Sequence, residues 1–134
     1  MQEYEVRDMA LAPSGHEKIN WVKKNMPLLA GLEKEFRQTK PFKDVKISLS
    51  VHLEAKTAYL CKVLAAGGAI MSVTGSNVLS TQDDVAAALV DDGLRVFAYH
   101  GATEEEYKRH IRKTLENGPQ IIIDDGGDLI GMLH

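Results

Sequence analysis

The chain has 134 residues, 44% of them hydrophobic and 26% charged, with a formal net charge of −3. That length can bury the core of one domain, and the acidic balance argues against nucleic acid as a main partner, because neutralising phosphates needs a basic surface. The lone Cys61 excludes an internal disulfide and fits a reducing, cytoplasmic setting; there is no apolar run of transmembrane length, and the acidic start Met1-Gln2-Glu3-Tyr4-Glu5 lacks the form of a signal peptide.

Residues 1–40 read as an N-terminal helical part and residues 41–134 as the βαβαβαβ core of a single domain. Ser14 followed by Glu17 fits a capping box and opens a helix through about Met26, with Ile19, Trp21 and Val22 among its apolar positions. Pro27 suits the first turn of a second helix carrying Leu28, Leu29, Leu32 and Phe36. Alternation over 45–51 gives a first strand, and the Ala- and Leu-rich stretch 54–66 a helix stopped by Gly67-Gly68. A second strand spans 69–74, and 81–90 is a helix with acids in its first turn. A third strand covers 94–99, and Thr103 with Glu106 makes a capping box for a helix over 103–115. After Asn117-Gly118-Pro119 the fourth strand, 120–123, holds three consecutive isoleucines, the mark of a strand buried on both faces. Alternating strands and helices predict an α/β fold with an open, doubly wound, flavodoxin-like parallel sheet in the order 2-1-3-4.

The polar residues collect where this fold places its ligands, at the C-terminal ends of the strands. His52 and Glu54 follow the first strand, Thr74 to Asp83 the second, His100 and Gly101 the third, and Asp124-Asp125-Gly126-Gly127-Asp128 the fourth. His52 suits general acid or base work, with a bond to a backbone carbonyl as the plainer reading. Ser80, Thr81, Gln82 and Asp83 sit at a helix N-terminus, where free N–H groups can bind a polar ligand or where Ser80 or Thr81 simply caps. Asp124 and Asp128 can likewise cap the helix that follows them. Cys61 reads as packing, and His16, His110 and His134 lack metal-ligand spacing. No GxGxxG follows a strand. The charges from Glu104 to Lys113 read as a solvated helix face.

Four segments carry a resemblance. They are Ser50-Val51-His52-Leu53-Glu54-Ala55-Lys56-Thr57-Ala58, Ser80-Thr81-Gln82-Asp83-Asp84-Val85-Ala86-Ala87-Ala88, Glu104-Glu105-Glu106-Tyr107 and Ile122-Ile123-Asp124-Asp125-Gly126-Gly127-Asp128-Leu129. The chain resembles the N-terminal, substrate-binding part of the adenosylhomocysteinases, in their archaeal branch. The resemblance implies NAD-assisted interconversion of S-adenosylhomocysteine with adenosine and homocysteine. It makes His52 and Asp125 catalytic positions and sets Thr57 and Gln82 near the nucleoside, with Glu54 and Lys56 on the purine-facing helix. Lys56 stands where many members have Glu; a lysine only donates, which suits the 6-oxo group of hypoxanthine better than the 6-amino group of adenine.

The resemblance also implies what is missing here: the downstream catalytic residues and the NAD domain, so no cofactor is expected in this chain and no turnover by it alone. The expected partner is an adenosine- or inosine-type nucleoside, with neither nucleic acid nor membrane. A border position for the fourth strand would leave an edge that favours a homodimer. The alternative is an inactive, self-associating flavodoxin-like scaffold, engineered or reconstructed, suggested by unfamiliar residues such as Ile70-Met71, Val78 and Tyr99-His100.

Overall fold

The computed structural model describes residues 3–133; Met1, Gln2 and His134 lie outside the described residues. A four-stranded, all-parallel sheet is built from β1 (Lys46–Val51), β2 (Ile70–Gly75), β3 (Arg95–Val96) and β4 (Ile121–Asp124). The helices are α1 (Ala12–Lys24), α2 (Pro27–Thr39), α3 (Ala55–Ala66), α4 (Asp83–Asp91), α5 (Glu104–Leu115) and α6 (Asp128–Leu133). The α/β class with an open parallel sheet is as expected.

The strand order is not: it is β3-β2-β1-β4, where 2-1-3-4 was predicted. β1 pairs on both edges, Leu49 lying between Val73 of β2 and Ile123 of β4. Polar contacts fix β4 there. Gln120 donates its N–H to the Lys46 carbonyl and accepts the Lys46 N–H at Oε1, while Ser48 Oγ reaches the Thr114 carbonyl at 2.7 Å. β3 is two residues long, shorter than the 94–99 predicted, and a backbone bridge between Glu5 and Phe97 covers its outer side: Glu5 N–H donates to the Val96 carbonyl and its own carbonyl accepts from Ala98. This leaves β4 at the border of the sheet. Its isoleucines are therefore not buried on both faces: Ile121 is 40% exposed and the next two are half-buried.

The sheet has two unlike faces. Ile47, Leu49, Met71 and Val73 point into an apolar cluster with Ile19 and Val22 of α1, Ala58, Cys61 and Val63 of α3, and Val85, Ala86 and Leu89 of α4. Ser48, Ser50, Ser72 and Thr74, the alternate residues of the same two strands, are buried on the side of α5. Cys61 is fully buried and its thiol is pushed up to about 12 by that burial, so packing is its role.

α1 begins two residues before its predicted cap. Pro13 supplies the first turn, Leu11 offers no side-chain cap, and Ser14 instead donates to Asp84 Oδ2 at 2.7 Å. The true core stripe of α1 is Ala12, Gly15, Ile19 and Val22. Gly15 lets α1 cross α4 backbone to backbone: a Cβ there would lie 1.9 Å from the Asp84 carbonyl oxygen. Trp21 falls off that stripe and is 65% exposed, as is most of Leu28 on α2, contrary to both helix readings. The box of Thr103 and Glu106 forms in full at the start of α5.

Candidate functional site

The order β3-β2-β1-β4 reverses direction between β1 and β4, and their C-terminal ends border the crevice where open α/β sheets bind ligands. His52 leaves β1 there and Asp125 leaves β4. His52 Nε2 and Asp125 Oδ2 stand 4.0 Å apart, both substantially exposed. That gap is too long for a hydrogen bond and wide enough for an oxygen of a bound molecule to touch both. The other nitrogen, Nδ1, is 2.7 Å from Ser80 Oγ. The imidazole is thus held from behind and turns Nε2 toward the carboxylate, the arrangement for passing a proton to or from a ligand atom.

Ser80 is itself held firmly. The Asn77 carbonyl accepts from the Ser80 and Thr81 amides and from the Thr81 hydroxyl, and Asn77 Oδ1 accepts the Leu79 N–H. Gln82 N–H donates to the carbonyl of buried Leu53, stapling this loop to the segment after His52. Neither Ser80 nor Thr81 caps α4; Gln82 occupies the cap position without a side-chain bond. Thr81 is buried, and its hydroxyl would lie 2.4 Å from a Cβ on Gly75, so the close approach of loop and strand requires glycine there.

Next to this pair, a crevice of about 450 Å³ is lined by Glu17, Lys18, Trp21 and Val22 of α1, Glu54, Ala55 and Lys56 at the start of α3, and Gln82. It gathers three of the sequence-predicted ligand positions, Glu54, Lys56 and Gln82. Thr57 and Thr81 are buried elsewhere, Thr57 being held by Glu54, whose carboxylate accepts the Thr57 N–H and caps α3. Sequence reasoning missed α1 as a wall of the crevice. The stripe of Ala12, Gly15, Ile19 and Val22 was the available signal, since it leaves Trp21 outside the core.

In the Gly-rich turn the two acids divide. Asp124 Oδ1 accepts from the Gly126 and Gly127 amides and Oδ2 from Ile130 N–H, so it caps α6. Asp125 makes no such bond and faces His52. Asp128 is the acceptor of the Tyr107 hydroxyl, which also lies 3.3 Å from the Ser76 carbonyl. Burial, then this carboxylate, raise the Tyr107 phenol above its ordinary range, so it stays a donor that ties α5 to the turn carrying Asp125. A dinucleotide does not fit this turn, because the amides that would face its pyrophosphate already hold the Asp124 carboxylate. Among the described residues no His, Cys, Asp and Glu cluster suits a metal ion, and no helix is long and apolar enough to cross a membrane.

A family model described as S-adenosyl-L-homocysteine hydrolase matches residues 3–134. The chain belongs to this hydrolase family. It is 53% identical over 129 residues to an S-inosyl-L-homocysteine hydrolase of Methanococcus maripaludis, a match covering 96% of this chain and 31% of that protein. An adenosylhomocysteinase of Pyrococcus abyssi is 49% identical over 98% of this chain and 31% of its own length. An S-inosyl-L-homocysteine hydrolase of Methanocaldococcus jannaschii is 50% identical over 98% and 32%. The chain therefore spans about a third of the length of these hydrolases, and this match does not favour the reading as an engineered or reconstructed scaffold.

Proposed function

We propose that this chain forms the nucleoside-binding part of a homocysteine-thioether hydrolase, with His52 and Asp125 exchanging protons at the sugar end of the ligand. The observation that carries the reading is the 4.0 Å pair of His52 and Asp125 at the reversal of strand order, next to the crevice of Glu54, Lys56 and Gln82. Calorimetric titration with adenosine, inosine and S-adenosylhomocysteine tests it. Saturable heat that disappears in His52→Ala and Asp125→Asn is the expected result; no heat with any ligand overturns it. NAD, which the family resemblance brings in, belongs in this reading to the part of the relatives that the chain does not span. Hydrolysis by the chain alone is accordingly not expected, and an assay with added NAD checks that.

The base preference proposed is for inosine-type ligands. Lys56 lines the crevice and has no hydrogen-bond or ion-pair partner among the described residues, and two of the relatives above are named for S-inosylhomocysteine. An ammonium offers only donors, which match a 6-oxo group. Tighter binding of adenosine than inosine in the same titrations would sink this preference. Self-association at the open edge of β4 belongs to the same reading, and sedimentation over a concentration series measures it.

A further inference from the structure

Of the side chains around the 450 Å³ crevice, several are already engaged. Lys18 pairs with Asp84 at 2.8 Å and donates to Gln82 Oε1 at 3.4 Å, and Glu54 caps α3. Val22 is buried and belongs to the apolar cluster. Trp21 stands apart. The residue is 65% exposed at the wall of the crevice, and no ring contact, cation contact or hydrogen bond of its indole is present among the described residues. A large aromatic left in water beside a cavity, on a helix whose apolar stripe is complete without it, is unexplained by packing.

We infer that Trp21 is a stacking platform for the heterocyclic base of the ligand, a binding residue contributed by α1. This deepens the nucleoside-binding reading and rests on it. A flat π-face recognises any purine by stacking and leaves the choice between oxo and amino groups to a polar neighbour such as Lys56, which lines the same crevice. The division matches the chemistry available: the apolar wall supplies affinity and the cation supplies discrimination. The same indole placed against a purine loses its contact with water and changes its emission.

Trp21 is the single tryptophan of the chain, so indole emission reports this one position. The test titrates the purified chain with inosine and adenosine, recording indole fluorescence and calorimetric heat on the same samples, with ribose as the control lacking a base. The expected result is a saturable emission change with the same midpoint as the heat, absent with ribose. Trp21→Ala should weaken binding by about tenfold and Trp21→Phe should restore most of it, the span expected for loss and recovery of base–aromatic stacking. Trp21 is exposed, so both variants should keep the wild-type circular dichroism. Nucleoside heat with unchanged emission and undiminished affinity in Trp21→Ala overturns the inference while leaving the nucleoside-binding reading intact. Absence of heat with every nucleoside overturns both.

Discussion

The two faces of the sheet are made from alternate residues of the same strands and hold by different physics. On one side Ile47, Leu49, Met71 and Val73 meet α1, α3 and α4 in a continuous apolar cluster. On the other, Ser48, Ser50, Ser72 and Thr74 lie beneath α5, whose buried residues are His110, Ile111 and Thr114. Hydrophobic burial is strong but non-directional, whereas hydrogen bonds are weaker net and fix position. The apolar face therefore holds the fold together. The hydroxyl face sets where α5 and β4 sit, and with them the turn that carries Asp125.

The comparison can be broken hardest on the apolar side. Leu49 is fully buried at the centre of the sheet, and Leu49→Ala should cost about 3 kcal/mol, measured by urea unfolding. On the hydroxyl side, Ser48 Oγ reaches the Thr114 carbonyl at 2.7 Å and the Asn117 side chain at 2.9 Å. A hydroxyl has one proton, so with Thr114 taking it the Asn117 amide best meets Ser48 through its NH₂ end, which otherwise has no partner among the described residues. Ser48→Ala should then cost about 1–2 kcal/mol and loosen the approach to β4, seen as faster amide exchange at Gln120 and Ile121.

A change of pH should separate the faces without mutation. His110 is buried, 3.2 Å from Glu5 Oε2 but not aligned for a hydrogen bond, with the Tyr99 ring against it edge-on. Burial holds its pKa below the ordinary histidine value; the Glu5 carboxylate opposes that shift and Arg109 adds to it. The unfolded chain then binds the proton more readily, so stability is complete above the ordinary value and is lost as pH falls from there through the lowered value of the folded chain. The midpoint of thermal unfolding should fall in the histidine range, and His110→Gln should flatten that fall. The smallest effect is expected at Ser50, whose hydroxyl is buried without a partner among the described residues. Ser50→Ala should be neutral or slightly stabilising in the same urea experiment, because it removes an unsatisfied group.

This contrast explains what the sequence made legible. The α/β class was readable because strand alternation, capping residues and glycine stops agree with one another. Thr103 with Glu106, for example, forms the full box that its spacing predicts. Strand order was not readable, because it depends on long-range contacts such as Gln120 to Lys46 and Ser48 to Thr114, which leave no local pattern. Ser14 failed as a cap because Pro13 opens α1 earlier and Asp84, far away in sequence, accepts its hydroxyl. Glu33 was equally hidden: it is buried, with the Tyr59 hydroxyl at 2.7 Å and Lys23 and Arg37 paired to it. Nothing in a helix of mixed charges singles out the one carboxylate that turns inward. Of the candidate site, the strand-end location of His52, Glu54, Gln82 and Asp125 was legible from the alternation, whereas Lys56 came only from the family resemblance. Their separation into the facing pair His52 and Asp125 and a neighbouring crevice was not legible.

Asp124 gives the turn after β4 a further property. The converging amides of Gly126, Gly127 and Ile130 make an anion-binding concavity, and the chain fills it with a carboxylate of its own. A resident negative charge of this kind works as an electrostatic filter. A ligand bearing a phosphate at its sugar end would meet Asp124 and Asp125 together, while the uncharged sugar of a nucleoside or its thioether would not. On the nucleoside-binding reading proposed above, the turn would disfavour nucleotides before any contact with the base is made.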